Sequence, residues 1–273
     1  MTLTLTVIFL IAVITAVIYV FLMMPRITDR ADMDLLSTDY AHRGLHSAQY
    51  PENSLPAFSL AAEQGFGIEL DVRMSRDGVI VVFHDECARR LCGVDARISD
   101  MTLSEIRSLR LSGTPYGIPT LGEVLELVDG RVPLLIEIKG ETKEQKLCAK
   151  LATTLDTYYG AFAVQSFNPL ILAYFKRYRP RFARGQLADK IKKVNTGKWA
   201  FVKGFLLTHL LLNVLSRPDF ISISGKRRGT LGFRLCTTLF KCKGFVWTVR
   251  TKEQYKLVRT KGYFAIFEKF KPQ

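Results

Sequence analysis

Two histidines, an arginine, a lysine and several acids stand at the ends of short apolar runs, and together these side chains could cleave a phosphodiester. Residues 41–85 carry a His42-Arg43-Gly44 turn, a Pro51-Glu52-Asn53 turn, Glu69 and Asp71 in IELDV, and His84-Asp85 after VIVVF. Glu137 and Lys139 follow the apolar run VPLLI in the same manner. Glu69 and Asp71 are two apart, so a strand sets both carboxylates on one face. Side by side on an apolar strand they repel and lose solvation, a cost that a bound divalent cation offsets. Oxygen-only donors suit Mg²⁺ or Ca²⁺ better than zinc. An isolated Glu-x-Asp is more often an exposed strand edge, but the third strand-end acid, Glu137, weighs against that. Arg43 and Lys139 add donors to phosphoryl oxygens. His42 and His84 would be the general base and general acid, in an order the sequence leaves open.

The surrounding pattern alternates strand and helix. Strands are expected near 41–44, 67–73, 79–84, 134–139, 162–166, 183–187, 220–223 and 244–249, with a closing strand near 264–267. Helices are expected over 54–64, 120–127, 143–158 and 169–178, and a shorter one opens at a Thr102/Glu105 capping box. Repeated about eight times, this predicts a TIM-type (β/α)8 barrel with its chemistry at the carboxyl ends of the strands. An open doubly wound sheet is the competing arrangement.

The segments HRG, PEN, ELDV, VFHD, IPTL (118–121), IEIK (136–139), QSF (165–167) and VWTV (246–249) occur in the order seen in the glycerophosphodiester phosphodiesterase family, which the chain resembles over roughly residues 40–249. The resemblance implies His42 and His84 as the acid/base pair and Glu69, Asp71 and Glu137 as metal ligands. It further implies Arg43 and Lys139 on the phosphate, Trp247 on the alcohol side of the pocket, and Glu52 as a partner of Arg43 or of the metal. Gln165 and Ser166 would shape the wall, Asp85 would orient a histidine or cap a turn, and Asn53 would be structural. His46 reads as loop surface, His209 as packed or interfacial, and Trp199 as surface or interfacial. The closing stretch 262–268, GYFAIFE, departs from the family's Gly-x-Asp-Gly and Thr-Asp pattern, so a group contacting phosphate or alcohol is expected to be missing there. The implied reaction turns a glycerophosphodiester, or a lysophospholipid at a membrane, into a glycerol phosphate and an alcohol. Two competitors are a phosphatidylinositol-type phospholipase, which would use the inositol hydroxyl as nucleophile, and a catalytically inactive barrel serving as a lipid-binding scaffold.

The 273 residues suffice for one such barrel. Residues 3–24 are apolar and uncharged, enough to cross a hydrocarbon core of about 30 Å. No early basic residue precedes this stretch, so residues 1–25 are expected to be an uncleaved anchor, 26–38 a linker and 39–273 the barrel domain. Arg26 and Arg30 follow the span, and the five cysteines suit free thiols, which together place the barrel on the cytoplasmic side of a single-pass cell-membrane protein. Of the net charge of +14, residues 1–170 carry 15 basic against 21 acidic groups and residues 171–273 carry 24 against 4. The basic C-terminal third therefore suits an anionic leaflet. No nucleic-acid recognition motif accompanies it. The apolar segment 204–215 is too short to span and is expected to pack on the barrel, with dipping into the membrane surface as the alternative.

Overall fold

A computed structural model describes residues 2–28, 31, 33–140, 145–189 and 200–272 of the chain. Short apolar runs form strands β1 (Tyr40–His42), β2 (Gly67–Met74), β3 (Ile80–Val82), β4 (Leu134–Ile138), β5 (Phe162–Ser166), β6 (Ala183–Ala188), β7 (Phe220–Ser224), β8 (Lys243–Val249) and β9 (Phe264–Phe267). All but β3 pair in parallel in the order β1-β2-β4-β5-β6-β7-β8-β9, and β9 pairs back onto β1. The sheet is thus a closed eight-stranded barrel and not an open one. β3 adds antiparallel to the last residues of β2, outside the ring.

The helices are α1 (Thr2–Met23), α2 (Leu55–Glu63), α3 (Arg89–Cys92), α4 (Leu103–Arg107), α5 (Leu121–Val128), α6 (Gln145–Asp156), α7 (Pro169–Tyr178), α8 (Ala200–Thr208), α9 (Asn213–Ser216), α10 (Leu231–Thr238) and α11 (Lys252–Thr260). Reciprocal capping boxes, Thr102 with Glu105 and Thr120 with Glu123, start α4 and α5. Ser54 does precede α2, but its hydroxyl donates to the Pro51 carbonyl at 2.6 Å and so tightens the Pro-Glu-Asn turn instead of capping the helix. Outside the ring, Ile68, Leu70, Ile136 and Val164 meet Phe58, Leu125, Leu151 and Phe175 in one apolar layer. Inside it, Tyr40, Leu135, Ala163, Phe220, Phe245 and Ile266 fill the lower half. Gly185 makes room for this filling, since a Cβ there would lie 2.0 Å from the Phe220 ring.

The segment expected to be a linker is packed. Met33 and Leu36 join the apolar filling of the barrel interior, and the Tyr40 hydroxyl donates to the Leu36 carbonyl at 2.9 Å. The Arg26 amide donates to Pro218 O at 2.9 Å and its guanidinium to Pro180 O at 2.8 Å, just ahead of β7 and β6. These contacts lie at the amino-terminal ends of the strands, so Arg26, Met33 and Leu36 close the barrel floor. α1 is long and apolar enough to cross a membrane and is exposed along most of its length. Its last turn docks on the same floor. Asn213 Nδ2 donates to Met23 O at 2.9 Å, and Arg217 Nη1 donates to Phe21 O at 2.8 Å and Met24 O at 2.9 Å. His209 packs between Tyr19 of α1 and Phe205 of α8, in line with the packed role expected of it. Trp199, Arg30 and Lys190, Lys192, Lys193 and Lys198 lie outside the described residues.

Candidate active site

Strand register assembles the site before any side-chain contact is considered. His42 on β1 pairs with Glu69 on β2, Asp71 with Glu137 on β4, and Glu137 with Gln165 on β5. Because alternate strand residues share a face, Glu69, Asp71 and Glu137 converge at the carboxyl-terminal mouth. One carboxylate oxygen from each lies within 4.8 Å of the others, and all three residues are buried. Burial, reinforced by the Asp71 and Glu137 charges, pushes the Glu69 carboxyl well above its usual range. Burial also raises Glu137, against the pull of Lys139. It would raise Asp71 too, but Lys139 and Arg43 hold that carboxyl far below its usual range.

The compensating cations are in place. Lys139 Nζ sits 2.9 Å from Asp71 Oδ1 and bridges to Glu137 Oε1. Arg43 Nε lies 3.2 Å from Asp71 Oδ2, and the Arg43 amide donates to Glu69 Oε2 at 3.2 Å. With all three carboxyls ionised, the two cations leave one negative charge uncompensated, the same imbalance that raises Glu69, and the buried Gln165 Oε1 beside Glu69 has no hydrogen-bond partner. An all-oxygen donor set with excess negative charge fits a hard divalent cation held by Glu69, Asp71 and Glu137.

Each imidazole is held at Nδ1 by a carboxylate. His84 Nδ1 lies 2.6 Å from Asp85 Oδ1, and His42 Nδ1 lies 2.6 Å from Glu268 Oε2. A carboxylate at Nδ1 keeps the proton there and leaves Nε2 for exchange. Burial pushes both histidines below their ordinary value, with the Glu268 hydrogen bond opposing it at His42 and the Asp71 charge opposing it at His84. Glu268 gives the closing stretch a role in the site, on His42. It follows β9 immediately, so the altered terminus still supplies a strand-end acid, one that also accepts from Arg250 Nε at 2.7 Å. His46 is not loop surface. Its Nε2 is 3.7 Å from Glu268 Oε2, and its side chain is only 21% exposed.

The turn at 51–53 supports both halves of the site. Glu52 Oε1 accepts from Arg43 Nη1 at 2.6 Å, so Glu52 is a partner of Arg43. It also accepts from Arg90 Nη2 at 2.7 Å, while Arg90 Nε donates to Asp85 Oδ2 at 2.5 Å. Arg90 thereby ties the turn to the His84 dyad, a role nothing in its local sequence indicated. Asn53, in a left-handed conformation at φ 56°, donates from Nδ2 to Asp71 Oδ2 at 2.9 Å. Gly44 allows the preceding turn its closeness to α2: its φ is +83°, and a Cβ would stand 2.8 Å from the Ala57 carbonyl carbon. Ser166 Oγ donates to the Ile138 carbonyl, and Trp247 meets Phe167 edge-to-face at 5.7 Å, forming an aromatic wall. A cavity of about 520 Å³ opens among Arg73, His84, Glu137, Lys139, Ser166 and Phe167.

Fold and site define a TIM-barrel protein with an acid-lined pocket, flanked by two carboxylate-held histidines, at its carboxyl-terminal mouth. The model of the glycerophosphoryl diester phosphodiesterase family matches residues 42–268, and the chain belongs to that family. It is 38% identical over 159 residues to a glycerophosphodiester phosphodiesterase of Caldanaerobacter subterraneus, covering 54% of this chain and 65% of the relative. It is 32% identical over 143 residues to human glycerophosphodiester phosphodiesterase 1, covering 48% of this chain and 43% of the relative. The chain thus spans less than two thirds of the length of these curated relatives. Among solved structures, a phosphodiesterase of Oleispira antarctica, in complex with its product sn-glycerol-3-phosphate, superposes with a TM-score of 0.69 at 26% identity, covering 85% of this chain and 92% of that one. A glycerophosphodiester phosphodiesterase of Thermotoga maritima gives 0.63 at 28% identity, covering 85% and 94%.

Replacing Glu268 by Gln tests the His42 dyad. The carboxylate raises the His42 pKa, so its loss lowers that pKa. The limb of the kcat/KM–pH profile that belongs to His42 is then expected to move to lower pH, with activity down by about 10- to 100-fold. An unmoved limb would show that Glu268 is only structural.

Proposed function

We propose that the chain hydrolyses a glycerophosphodiester to a glycerol phosphate and an alcohol, using a divalent cation, Mg²⁺ or Ca²⁺, held by Glu69, Asp71 and Glu137. The observation that carries this reading is the pair of carboxylate-held imidazoles, His42–Glu268 and His84–Asp85, beside the buried acid cluster. A bound divalent cation supplies positive charge to the non-bridging phosphoryl oxygens. Arg43 and Lys139 orient the phosphate from two sides, kept in position by Glu52 and by Asp71 and Glu137. One imidazole accepts the proton of the attacking hydroxyl at Nε2, and the other delivers a proton from Nε2 to the departing alkoxide. Trp247 and Phe167 wall one side of the pocket, where the carbon skeleton of the substrate packs.

The reading extends to the membrane: a single-pass chain, anchored by α1, with the barrel and its thiols on the cytoplasmic side and the basic C-terminal third toward an anionic leaflet. The way α1 leaves the barrel bears on the substrate. It docks at the floor through Asn213 and Arg217, whereas the site opens at the opposite ends of the strands. That placement favours a water-soluble diester over a lysophospholipid resident in the same bilayer.

The test uses the full-length chain in detergent, with glycerophosphoinositol and lysophosphatidylcholine each assayed in Mg²⁺, Ca²⁺ or EDTA. Release of glycerol phosphate that needs metal and favours the soluble diester is the expected result. A cyclic phosphate product would indicate the phospholipase chemistry instead. No turnover by folded, metal-binding protein would return the scaffold reading.

A further inference from the structure

A second cavity opens off the first. It measures about 620 Å³ and lies between the end of β2 with its following turn and the first turns of α6. Arg73, Glu86, Ser99 and Lys139 line both cavities, so the second is a continuation of the catalytic pocket. Its remaining charged residues are Arg76, Asp77, Lys146 and Lys150.

The acids in this cleft are already committed. Asp77 accepts from Ser75 Oγ at 2.6 Å and from the Leu103 amide at 3.0 Å. Glu86 pairs with Arg97 at 3.3 Å. Arg76 is engaged by Glu105 at 3.2 Å and by the Asp100 carbonyl at 2.9 Å. Arg73 is fixed by Nε and Nη2 donating to the His84 carbonyl at 3.0 and 2.8 Å, which places its charge where the two cavities meet. Lys146 and Lys150, one helical turn apart on α6, have side-chain ammonium groups with no ion pair or hydrogen bond among the described residues. Leu147, beside them, is buried and anchors α6 to the barrel. Among the described residues the cleft therefore presents two ammonium groups with no partner to whatever extends outward from the phosphate, with the fixed Arg73 guanidinium at its entrance.

We propose that this cleft receives the alcohol half of the diester and selects alcohols that carry a further phosphate group. The inference rests on the diesterase reading above and names the substrate class of that site. The glycerol half is small and uncharged and packs on the opposite, aromatic side against Phe167 and Trp247, which reverses the alcohol-side role that the family resemblance implies for Trp247. An added phosphomonoester brings a compact dianion, which two flexible lysines meet as point charges without a fixed geometry. A cationic head group such as choline meets like charge there and is disfavoured.

The experiment compares kcat/KM for glycerophosphoinositol 4-phosphate and glycerophosphoinositol, using the full chain, the doubly substituted Lys146→Glu/Lys150→Glu chain, and two ionic strengths. The wild-type chain is expected to favour the phosphorylated diester by roughly tenfold at low salt, chiefly through KM, and less at high salt. The double substitution is expected to bring that ratio to one or below, with the larger loss falling on the phosphorylated diester. A wild-type ratio near one, or a ratio untouched by the substitutions, would overturn the proposal. If neither diester is hydrolysed, the diesterase reading fails and the cleft is judged by equilibrium binding. Tighter binding of inositol 1,4-bisphosphate than of inositol 1-phosphate, lost in the double variant, sustains an anion-selective cleft, and equal binding removes it.

Discussion

His42→Ala and His84→Ala are each expected to lower kcat by 10²- to 10⁴-fold with little change in KM, the range for removing one positioned proton-transfer group. The two variants should part company on a diester with an activated leaving group, such as a nitrophenyl ester. A departing nitrophenolate needs no proton, so the variant lacking the general acid recovers much of the wild-type rate. The variant lacking the general base stays impaired, because the attacking hydroxyl still has to lose its proton. The geometry alone does not choose between the two, since each imidazole has the same Nδ1–carboxylate arrangement. Equal impairment of both variants on both esters would mean that neither histidine protonates the leaving group. That result would sink the two-histidine mechanism even with the fold intact.

The residues that sequence reading could place are those whose role follows from strand period and type. Glu69 and Asp71 share a face because they are two apart in a strand, and Glu137 joins them because β4 pairs with β2 in register. The alternation of short apolar strands with helices was enough to predict a barrel, and the closure of β9 on β1 bears it out. The parts that were illegible depend on contacts between distant segments. Glu268 reaches His42 across 226 residues, and the departure of its strand from the family pattern hid the fact that an acid still stands at the strand's end. Arg90 belongs to a helix of four residues in an irregular connection, and only the folded chain shows it joining Glu52 to Asp85. His46 looked like surface because its loop is polar, yet the loop folds back over Glu268. Residues 26–38 looked like a linker because they are charged and short of periodicity, whereas Met33 and Leu36 supply the apolar closure of the barrel floor.

Replacing Asp71 by Asn is expected to remove metal binding and hydrolysis together. Asp71 is the hub of the cluster: it meets Lys139 at 2.9 Å, Arg43 at 3.2 Å and Asn53 at 2.9 Å, and it is the acid most firmly kept ionised. Asn preserves volume and can still accept from Asn53, so the fold is expected to survive while one full negative charge is lost. The cluster then holds two carboxylates against two cations, and the electrostatic case for a divalent ion disappears. In the wild-type chain, saturating cation should raise thermal stability, by about 2.7 kcal/mol at a concentration 100 times Kd. In Asp71→Asn that metal-dependent rise in Tm should vanish at the same concentrations, and kcat should fall by at least about 10³-fold. The pH dependence provides a second check. Because the folded-state pKa of Asp71 is depressed, its contribution to stability is present above the ordinary aspartate range and lost as pH falls below it. The stability gap between wild type and variant in EDTA should accordingly close toward low pH. A variant that keeps the metal-dependent rise in Tm would show that the cation binds elsewhere. The carboxylates would then owe their burial to Arg43 and Lys139 alone, and the acid cluster would be a purely structural ion-pair network.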